Sequence, residues 1–561
     1  MTGMYSTSVY LYILWENINI ISDYAAERMG VRMNIIKFFK KHHMKSSASP
    51  NLIQDADKQE LLKVHEAISS SLNVNRKRLE QIFTNCKDIT FIPWHYGPNL
   101  QYEALAVYCI TLVKDKKENY FKTVMQDLVR NQIGPATDIK PDDVIYFFEN
   151  HGASAETAHT IGDLHRSVED ILEGKVVVFF DQWDKALSFL AITLQERQVT
   201  ENLIEPVVRG PHESTVENLS QNIGLIRVRL RTPDFKLELF KAGGKSNTEV
   251  AYAYIEGAVN PETLAEFQER IVPAKEMEVL ETSYIEELLE ESVYSPLPQS
   301  RVTERPDVAA AALLDGKIIV MVSGSPSILI CPGLFLEFLM SPEDYYQRTV
   351  YSSFIRWLRF IAFFLTVFLP GIYIALTTFD PELIPTVLLL AILNTREGIP
   401  FPAFIEALIM VFFFEILVEA GVRLPRPVGS AVSIVGALVI GEASINAGIA
   451  SPIMVVVVAL TGIAKFSLPQ YSLQTAVRVL RVLVMFFSAF LGGFGLMIGI
   501  LLLLLHMMSL RSLGQLYLAP LGPLRPRQLR DVFIRAPLIS QHRSPRNRHK
   551  HNRLTDNRKE G

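Results

Sequence analysis

Hydrophobic and polar residues follow two different patterns along the chain. From Asn51, short β-rich runs such as DITFIPW and EALAVYCITLV alternate with segments of helical period, such as DKQELLKVHEAISSSL and ENYFKTVMQDLV. From about residue 360 to 507, the chain is mostly Leu, Ile, Val, Phe, Ala and Gly. The first pattern predicts packed α/β layers, and the second predicts helices in lipid. We therefore expect a soluble α/β N-terminal region followed by an α-helical polytopic membrane domain.

The soluble region contains an internal repeat. EALAVYCITLVKD, helical segments and EGKVVVFF in one half correspond to EVAYAYIEGAVN, helical segments and DGKIIVMV in the other. Each half places a glycine, Gly174 or Gly316, before a β-branched strand, where glycine is able to adopt a positive φ. We predict two similar α/β subdomains. The predicted parts are an N-terminal extension (1–50), a first subdomain (51–192), a connecting helix (193–235), a second subdomain (236–332), a juxtamembrane linker (333–353), a transmembrane domain of four to six helices (354–510) and a basic cytoplasmic tail (511–561).

The connecting segment EPVVRGPHESTVENLSQNIGLIRVRLR has apolar residues every three to four positions and three arginines near its end. We expect Ser214 or Thr215 to cap this helix. Arg209, in the loop before it, has two interpretations. It grips an anion at the helix start, or it makes a structural contact that anchors one subdomain to the next, which is the commoner role.

Short motifs argue against catalysis. The segment AGGKSN at 242–247 lacks the first glycine of a phosphate-binding loop, because Leu239 occupies that position. Cys86, Cys109 and Cys331 lie far apart in the sequence, which favours neither a disulfide framework nor a zinc site. We expect no enzymatic activity, no cofactor and no metal.

Charge argues against a nucleic-acid partner. The net charge of the 561 residues is −4, and the main concentration of basic residues follows Gly522. We interpret this tail as a solvated cytoplasmic segment beside an anionic leaflet; a polybasic RNA-binding arm is the less favoured alternative. The apolar patch VYLYILWENINII near the N-terminus holds Glu16 and lacks a cleavage site, which is not typical of a signal peptide. We expect translation to start at Met29 or Met33.

Charged residues set limits on the membrane topology. Arg348 and several aromatic residues precede the first apolar run, which predicts a cytoplasmic soluble region. LIPTVLLLAILN is either a half-helix that re-enters the membrane or a thin span, and the last run of about 30 residues is interpreted as a single span. Basic flanks favour an even number of crossings, but Arg423, Arg426 and Lys465 do not all fall on the inside in such a scheme.

A carboxylate interrupts the small, apolar stretch VGSAVSIVGALVIGEASINAGIA. Glu442 and Asn446 lie one turn apart, beside a stripe of small residues that includes Gly441 and Ser444 and is typical of close helix packing. A charge that faced lipid would cost at least ~2.5 kcal/mol, so Glu442 should face protein, water or another subunit. These four residues are our candidate pore or gating residues. The alternative is that Glu442 lies at the aqueous mouth of a short helix that ends near Asn446.

Two further groups in the apolar region have structural interpretations. Glu415, Glu419 and Arg423 share one helical face at four-residue spacing, which predicts an ion-paired ladder near an interface. The three glycines of the last run are interpreted first as helix-packing positions and second as a hinge or gate; they are Gly492, Gly495 and Gly499.

Three long segments resemble the A subunit of the GerA-type spore germination receptors. They are PVVRGPHESTVENLSQNIGLIRVRLR, ERPDVAAAALLDGKIIVMVSGSPSILICPGLFLEFLMSPEDYYQR and RLPRPVGSAVSIVGALVIGEASINAGIASPIMVVVVALTGIA, and the similarity runs from about Asn51 to Leu538. The resemblance implies a subunit in the inner membrane of dormant endospores, with a transporter-like B subunit and a lipoprotein C subunit as partners. It also implies that the A subunit forms homo-oligomers and conducts ions, and that nutrients bind largely to the B subunit. The first 32 residues and the tail after Ser540 differ from the family's usual termini.

Three classes of function fit these observations. The first is an oligomeric, nutrient-gated ion-conducting subunit in which Glu442 and Asn446 form a polar ring. The second is a non-conducting signalling scaffold that relays the conformational change of a partner subunit. The third is a secondary transporter, which ranks last because the membrane half shows one candidate broken helix and no inverted repeat.

Overall fold

The computed structural model describes residues 67–96, 98–113, 141–142, 146, 158–190, 205, 209–524 and 529–537, and only the backbone of residues 98, 158, 426–434 and 530. All of these residues belong to one compact unit, Ala67–Gly561. The predicted helix ENYFKTVMQDLV and the candidate start methionines lie outside the described residues.

The first subdomain is a five-stranded antiparallel sheet with two helices on one face. The strand order is β1-β2-β4-β5-β3. Leu72 and Leu79 pack with Ile171 against Leu105 and Val107 of the sheet, so these two helices cover a shared core. The elements are α1 (Leu72–Ile82), β1 (Ile89–Tyr96), β2 (Tyr102–Cys109), β3 (Ala158–Ile161), α2 (Leu164–Leu172), β4 (Lys175–Phe180) and β5 (Ala186–Leu190).

The second subdomain repeats this topology. Its five antiparallel strands have the order β6-β7-β9-β10-β8, which is the order of the first sheet shifted by five. Gly174 and Gly316 adopt φ of 86° and 80°, as predicted for the turn before the central strand of each half. The internal repeat is thus confirmed. The elements are α3 (Leu219–Arg229), β6 (Phe235–Ala242), β7 (Thr248–Ile255), α4 (Pro261–Arg270), α5 (Thr282–Leu289), β8 (Arg301–Thr303), α6 (Pro306–Leu314), β9 (Ile318–Val322) and β10 (Ile328–Cys331).

The helix predicted as a connector, α3, packs on the second sheet. Leu219, Ile223 and Ile226 lie in one core with Phe235 and Leu237, as the residues of α1 do in the first subdomain. The predicted caps are wrong: the side chain of Asn218 caps the helix and accepts a hydrogen bond from the amide of Gln221. Ser214 and Thr215 instead donate their hydroxyl hydrogens to the carbonyl of Glu304.

A shared asparagine clamp shows that α1 and α3 are equivalent. Asn75 accepts a hydrogen bond from the amide of Ser69 at 2.9 Å and donates to its carbonyl at 2.6 Å. Asn222 makes the same pair of bonds with Val216, at 2.8 Å and 2.5 Å. Each asparagine stands three residues after the leucine that begins its helix. Each repeat therefore begins with a helix that precedes its first strand.

The two subdomains are joined through the edge strand β6. The amide of Leu237 donates to the carbonyl of Asn85 at 2.8 Å, and the amide of Lys87 donates to the carbonyl of Leu237 at 3.1 Å. Arg227 and Asp88 form a bidentate ion pair with both distances at 2.8 Å and no exposed side-chain surface. These contacts cover an edge that would otherwise be free to pair with another chain.

The helical region follows a short linker, and two of its helices are long and apolar enough to cross a membrane. They are Thr349–Thr378 and Tyr471–Ser509; the first continues through Pro370. The elements are α7 (Glu343–Tyr346), α8 (Thr349–Thr378), α9 (Thr386–Arg396), α10 (Ala403–Arg423), α11 (Arg426–Asn446), α12 (Pro452–Phe466) and α13 (Tyr471–Ser509).

Helix α13 is a hairpin, and the prediction of a single last span is wrong. Gly492 has φ of 61° and ψ of −138°, which reverses the chain and divides α13 into two legs. Val484 on the first leg lies 3.6 Å from the position of a Cβ on Gly499, although these residues would be about 22 Å apart along a straight helix. At the tip, the amide of Gly493 donates to Asp380 at 3.0 Å.

The helices run between two ends of the region. At the near end, beside the soluble region, Arg356 and Arg359 of α8 contact Asp344. At the far end, Asp380 binds the tip of the α13 hairpin. Ile374, near the C-terminus of α8, packs with Ala403 at the start of α10 and with Ala450 before α12. Within residues 349–509, six helical segments therefore run between the ends: α8, α10, α11, α12 and the two legs of α13.

The hairpin also explains how the basic residues are distributed between the two ends of the helices. Arg423 ends α10, Arg426 begins α11 and Lys465 lies one residue before the end of α12. All three positions are at the near end, together with Arg348. The sequence scheme could not place them on one side because it counted α13 as one crossing instead of two.

Helix α9 is a half-helix at the far end. Its 11 residues are about 16 Å long, which is too short to cross a bilayer. It follows Asp380, which is bound at the hairpin tip, and ends at Arg396, which contacts Glu406 in the first turn of α10. Both of its ends therefore lie on the same side.

The C-terminal segment is partly structural, which corrects the prediction of a wholly solvated tail. Tyr517 is fully buried, and its carbonyl accepts a hydrogen bond from the amide of Phe335 at 2.9 Å. Arg535 donates to Thr349 at 2.7 Å, and Asp531 accepts from the hydroxyl of Tyr345 at 2.6 Å. The segment also forms a two-stranded sheet with β11 (Arg511–Ser512) and β12 (Gln515–Leu516). The basic residues after 537 lie outside the described part of the chain.

Candidate functional site

Glu442 lies on an exposed face of α11, one turn before the helix ends at Asn446. Both side chains are exposed, and neither has a hydrogen bond or ion pair with any described residue. Val435, Leu438 and Val439 are also exposed, by 58%, 68% and 56%, at positions that place them on the same face of the helix. A single copy of the chain therefore presents an apolar face with a carboxylate and an amide near its far end.

The other two candidate residues of α11 lie on a different face. Gly441 is buried, and a Cβ there would lie 3.5 Å from a methyl group of Val455 on α12. Ser444 is 4% exposed, and its carbonyl accepts hydrogen bonds from the amides of Ile449 and Ala450 in the turn before α12. The small-residue face packs inside the chain, while Glu442 and Asn446 point away from it.

The predicted ladder of Glu415, Glu419 and Arg423 is only partly formed. Glu419 and Arg423 make an exposed ion pair at 2.7 Å, as predicted. Glu415 instead accepts from Arg481 at 2.7 Å and from Lys465 at 3.4 Å. Four-residue spacing places these three residues on one helical face, but the cations of α12 and α13 decide where Glu415 binds.

A buried carboxylate holds the far end of the helices together. Glu406 is fully buried and accepts hydrogen bonds from the amide and hydroxyl of Ser451, which caps α12. Its second oxygen lies 3.6 Å from Arg396. Glu406 thus links α9, α10 and α12. The sequence signal was a charge inside an apolar helix, but Ser451 gave no sign of being its partner.

Polar contacts tie the soluble region to both legs of α13. Gln470, the residue before the first leg, donates to Glu205 at 2.5 Å, and Glu205 also accepts from Thr303 of β8 at 2.6 Å. At the end of the second leg, His506 and Ser295 form a hydrogen bond of 2.8 Å. A movement in the second subdomain would therefore act directly on the helix hairpin.

The loop that resembles a phosphate-binding motif holds a carboxylate of the same chain. The amides of Lys245 and Ser246 donate to Glu278, both at 2.9 Å. The hydroxyl of Ser246 and these backbone amides lower the pKa of Glu278 to about 2. The donors that would bind a phosphate are occupied, which agrees with the missing glycine of the motif.

Arg209 lies away from the start of α3, the helix at which the sequence placed it. Its side chain is exposed, and its amide donates to Glu343 at 3.3 Å. Helix α3 begins only at Leu219, so the amides next to Arg209 are not those of a helix N-terminus. The anion grip that the sequence suggested is not formed there.

Glu290, at the end of α5, makes the stability of the second subdomain depend on pH. Burial, with Glu286 nearby, raises the pKa of Glu290 to about 7, from about 4.3 in an unfolded chain. Between these values the folded protein binds a proton that the unfolded chain does not, so stability falls as pH rises. We expect Glu290→Gln to be more stable than the parent at pH 8 and equal to it at pH 4.

The measurement is the thermal unfolding midpoint of the full chain in detergent from pH 4 to pH 8. Glu276→Gln, which removes an exposed carboxylate elsewhere in the same subdomain, is the matched control. Parallel pH profiles for the parent and Glu290→Gln would contradict the assignment.

A soluble α/β region tied to a bundle of apolar helices is the architecture of a membrane protein with a large extramembrane domain. The family model described as Bacillus/Clostridium GerA spore germination protein matches residues 77–547, and the chain belongs to this family. This confirms the resemblance found in the sequence.

The chain is also similar to individual named proteins. The chain is 38% identical to the uncharacterized membrane protein YfkQ of Bacillus subtilis (strain 168), over 85% of this chain and 91% of the relative. It is 42% identical to spore germination protein KA of the same organism, over 67% of this chain and 69% of the relative. The crystal structure of the N-terminal domain of the A subunit of the Bacillus megaterium spore germinant receptor GerK3 matches with 24% identity and a TM-score of 0.37, over 48% of this chain and 98% of that domain.

Proposed function

We propose that this chain is an ion-conducting subunit of a nutrient germinant receptor, and that several copies assemble around the exposed face of α11. The main support is the position of Glu442 and Asn446 on a face that a single copy leaves free. A carboxylate that faces lipid costs at least ~2.5 kcal/mol at the bilayer centre and less toward the helix end. Contact between copies removes this cost if the carboxylates face a shared aqueous path.

The length of α11 indicates where the polar ring lies. The helix has 21 residues, about 31 Å, which matches the hydrocarbon core of a bilayer. Glu442 is one turn from the far end, so the ring lies at the mouth of the path. Carboxylate rings at such positions favour cations. This placement combines both interpretations of Glu442, because a residue at an aqueous mouth also lines the path.

The basic residues favour a cytoplasmic near end. Arg348, Arg423 and Lys465 lie at positions on this side, and membrane proteins concentrate such residues in cytoplasmic segments. We place the soluble region in the cytoplasm and the helices in the inner membrane of the spore, so that the carboxylate ring faces away from the core.

Gating requires a partner that binds the nutrient. A transporter-like B subunit and a lipoprotein C subunit complete the receptor in this proposal. Nutrient binding that favours the open state over the closed state by a few kcal/mol is enough to shift the equilibrium. The bonds of Gln470 and His506 with the soluble region are the route by which such a shift would reach the helices.

Glu442→Gln tests this proposal. We expect the rate of K⁺ release from spores, after addition of a mixture of amino acids, sugars and nucleosides, to fall by about tenfold, since a neutral ring attracts cations less. Glu419→Gln, an exposed carboxylate of α10 at the near end, is the matched control and should leave release unchanged. Immunoblots of spore membranes check that each variant receptor is assembled.

A non-conducting scaffold that relays the change in the partner subunit is the alternative. The contacts of Glu205 with Gln470 and Thr303 favour it, because they would carry a signal without permeation. Unchanged release and ion preference in Glu442→Gln, at normal receptor level, would support the scaffold and contradict conduction through this ring.

A further inference from the structure

A cluster of charged side chains with an excess of positive charge lies in the half of the helical region closer to the near end. Glu415 of α10 contacts three cations: Arg481 at 2.7 Å, Lys465 at 3.4 Å and Arg478 at 3.2 Å. One carboxylate therefore faces three positive charges. We refer to Glu415, Lys465, Arg478 and Arg481 as the cationic cluster.

Burial makes this imbalance costly. The side chains of Lys465 and Arg481 are 0% and 1% exposed. The Nε of Arg481 is buried and has no hydrogen-bond partner among the described residues. The Nε of Arg478 is also buried; it lies 3.2 Å from Glu415 but makes no hydrogen bond with a described residue. Buried charges without a counter-ion cost several kcal/mol each. The cluster therefore has more positive than negative charge and has donors that a further anionic group would satisfy.

The cluster opens outward at one place. Arg478 and Glu415 are 23% and 21% exposed, so a ligand reaches the cluster beside these two side chains. Lys465 lies one residue before the end of α12, and Arg478 lies in the second or third turn of α13. Arg481 lies about 15 Å beyond the start of α13, and Glu415 lies about 12 Å before the end of α10. The cluster therefore lies in the near half of the helical region, and a bound headgroup would have to enter to this depth.

The surface beside the opening is apolar. Val482 lies one turn beyond Arg478 and is 39% exposed, and Leu483 next to it is 50% exposed. Phe466, whose ring lies near the ammonium of Lys465, is 61% exposed. A ligand that binds here meets cations at one end and an apolar helix surface at the other.

We propose that the cationic cluster binds the phosphate of an anionic phospholipid, with the acyl chains lying along Val482 and Leu483. Guanidinium groups bind phosphate oxygens through charge-assisted, often bidentate hydrogen bonds. Glu415 orients the cations and leaves two positive charges for the ligand. A phosphatidylglycerol headgroup supplies a net negative charge, whereas the choline of phosphatidylcholine offsets its phosphate. Free phosphate shares the same donors but lacks the chains.

The test uses the full chain, purified in detergent and stripped of lipid. Phosphatidylglycerol, phosphatidylcholine and inorganic phosphate are titrated separately, and bound ligand is counted by native mass spectrometry. We expect phosphatidylglycerol to bind roughly tenfold more tightly than phosphatidylcholine, since one charge-assisted hydrogen bond is worth about that factor. Arg478→Gln should weaken the binding of phosphatidylglycerol by roughly tenfold.

Arg423→Gln is the matched control, because Arg423 is an exposed arginine at the same end and pairs only with Glu419 among the described residues. It should leave the preference for phosphatidylglycerol intact. Arg478→Lys keeps the charge but removes the guanidinium fork, and should bind with intermediate affinity. A thermal unfolding midpoint equal to that of the parent in lipid-free detergent shows that each variant is folded; if Arg478→Gln fails this check, Arg478→Lys replaces it.

Three results would overturn the proposal. Equal binding of the two phospholipids, unchanged by Arg478→Gln, would show that the cluster does not select a lipid. Inorganic phosphate that binds as tightly as phosphatidylglycerol would identify a free-anion site. The third result combines two observations: the parent shows no preference between the two phospholipids, and Arg478→Gln no longer copurifies with other receptor subunits. It would identify an acidic residue of a partner subunit as the missing anion. None of these results depends on whether the chain conducts ions.

Discussion

Asp88→Ala is expected to lower the free energy of unfolding of the soluble region by about 3–5 kcal/mol. The carboxylate makes two hydrogen bonds of 2.8 Å to Arg227, and both side chains are fully buried. The variant leaves the guanidinium of Arg227 buried without its carboxylate partner, while the carbonyls of Thr232 and Phe235 still accept its hydrogen bonds. Neither carbonyl carries a full negative charge.

Urea unfolding of the full chain in detergent, followed by tryptophan fluorescence, measures this effect. Trp183 is buried in the first subdomain and reports its unfolding. Glu80→Ala is the control, since Glu80 pairs with Arg76 on the surface of α1 with both side chains nearly half exposed. Glu80→Ala should lower the free energy of unfolding by about 0.5 kcal/mol or less. A comparable small loss for Asp88→Ala would contradict the importance of this pair for joining the subdomains.

Gly492→Ala is expected to destabilise the helical region by at least about 2–3 kcal/mol and to reduce the amount of folded protein in the membrane. Gly492 has φ of 61° and ψ of −138°, a conformation that glycine adopts readily and alanine does not. A Cβ there would also lie 2.6 Å from the Cβ of Phe379. Relief of this clash would separate the hairpin tip from α8.

The measurements are the yield in the membrane fraction and the thermal unfolding midpoint in detergent. Gly499→Ala is the matched control on the second leg, where a Cβ would meet its nearest atom at 3.6 Å, an ordinary contact. Gly499→Ala should leave both the yield and the unfolding midpoint unchanged. If the two variants behaved alike, the reversal at Gly492 would not be what limits the fold.

Local pattern was sufficient for the architecture of the soluble region. Strand and helix periods, and the Gly-Lys turns at Gly174 and Gly316, repeat within each half, so comparison of the halves predicted two similar subdomains. The leucine that begins α1 and α3, with an asparagine three residues later, was a further signal in the sequence. Their role was not recognised because a clamp between Asn222 and Val216 becomes visible only when the backbone is folded.

The sequence did not predict which charged residues form ion pairs between different helices. Glu419 and Arg423 were predicted correctly because one helix fixes the distance between residues four apart. Glu415 was not, since its partners Lys465 and Arg481 come from other helices whose relative rotation depends on packing. For the same reason, the exposed face of Glu442 and the buried face of Gly441 were combined into one candidate site.

The sequence by itself determined the order of soluble and apolar regions, the internal repeat and the family, because composition, period and similar segments are properties of the chain. Only the tertiary structure decided the reversal at Gly492, the partners of Glu415 and the docking of the C-terminal segment on α8. The residues of α13 on both sides of Gly492 are apolar, so no polar break marks the turn. Contacts between distant segments follow from how helices pack against one another, and neighbouring residues carry little information about that.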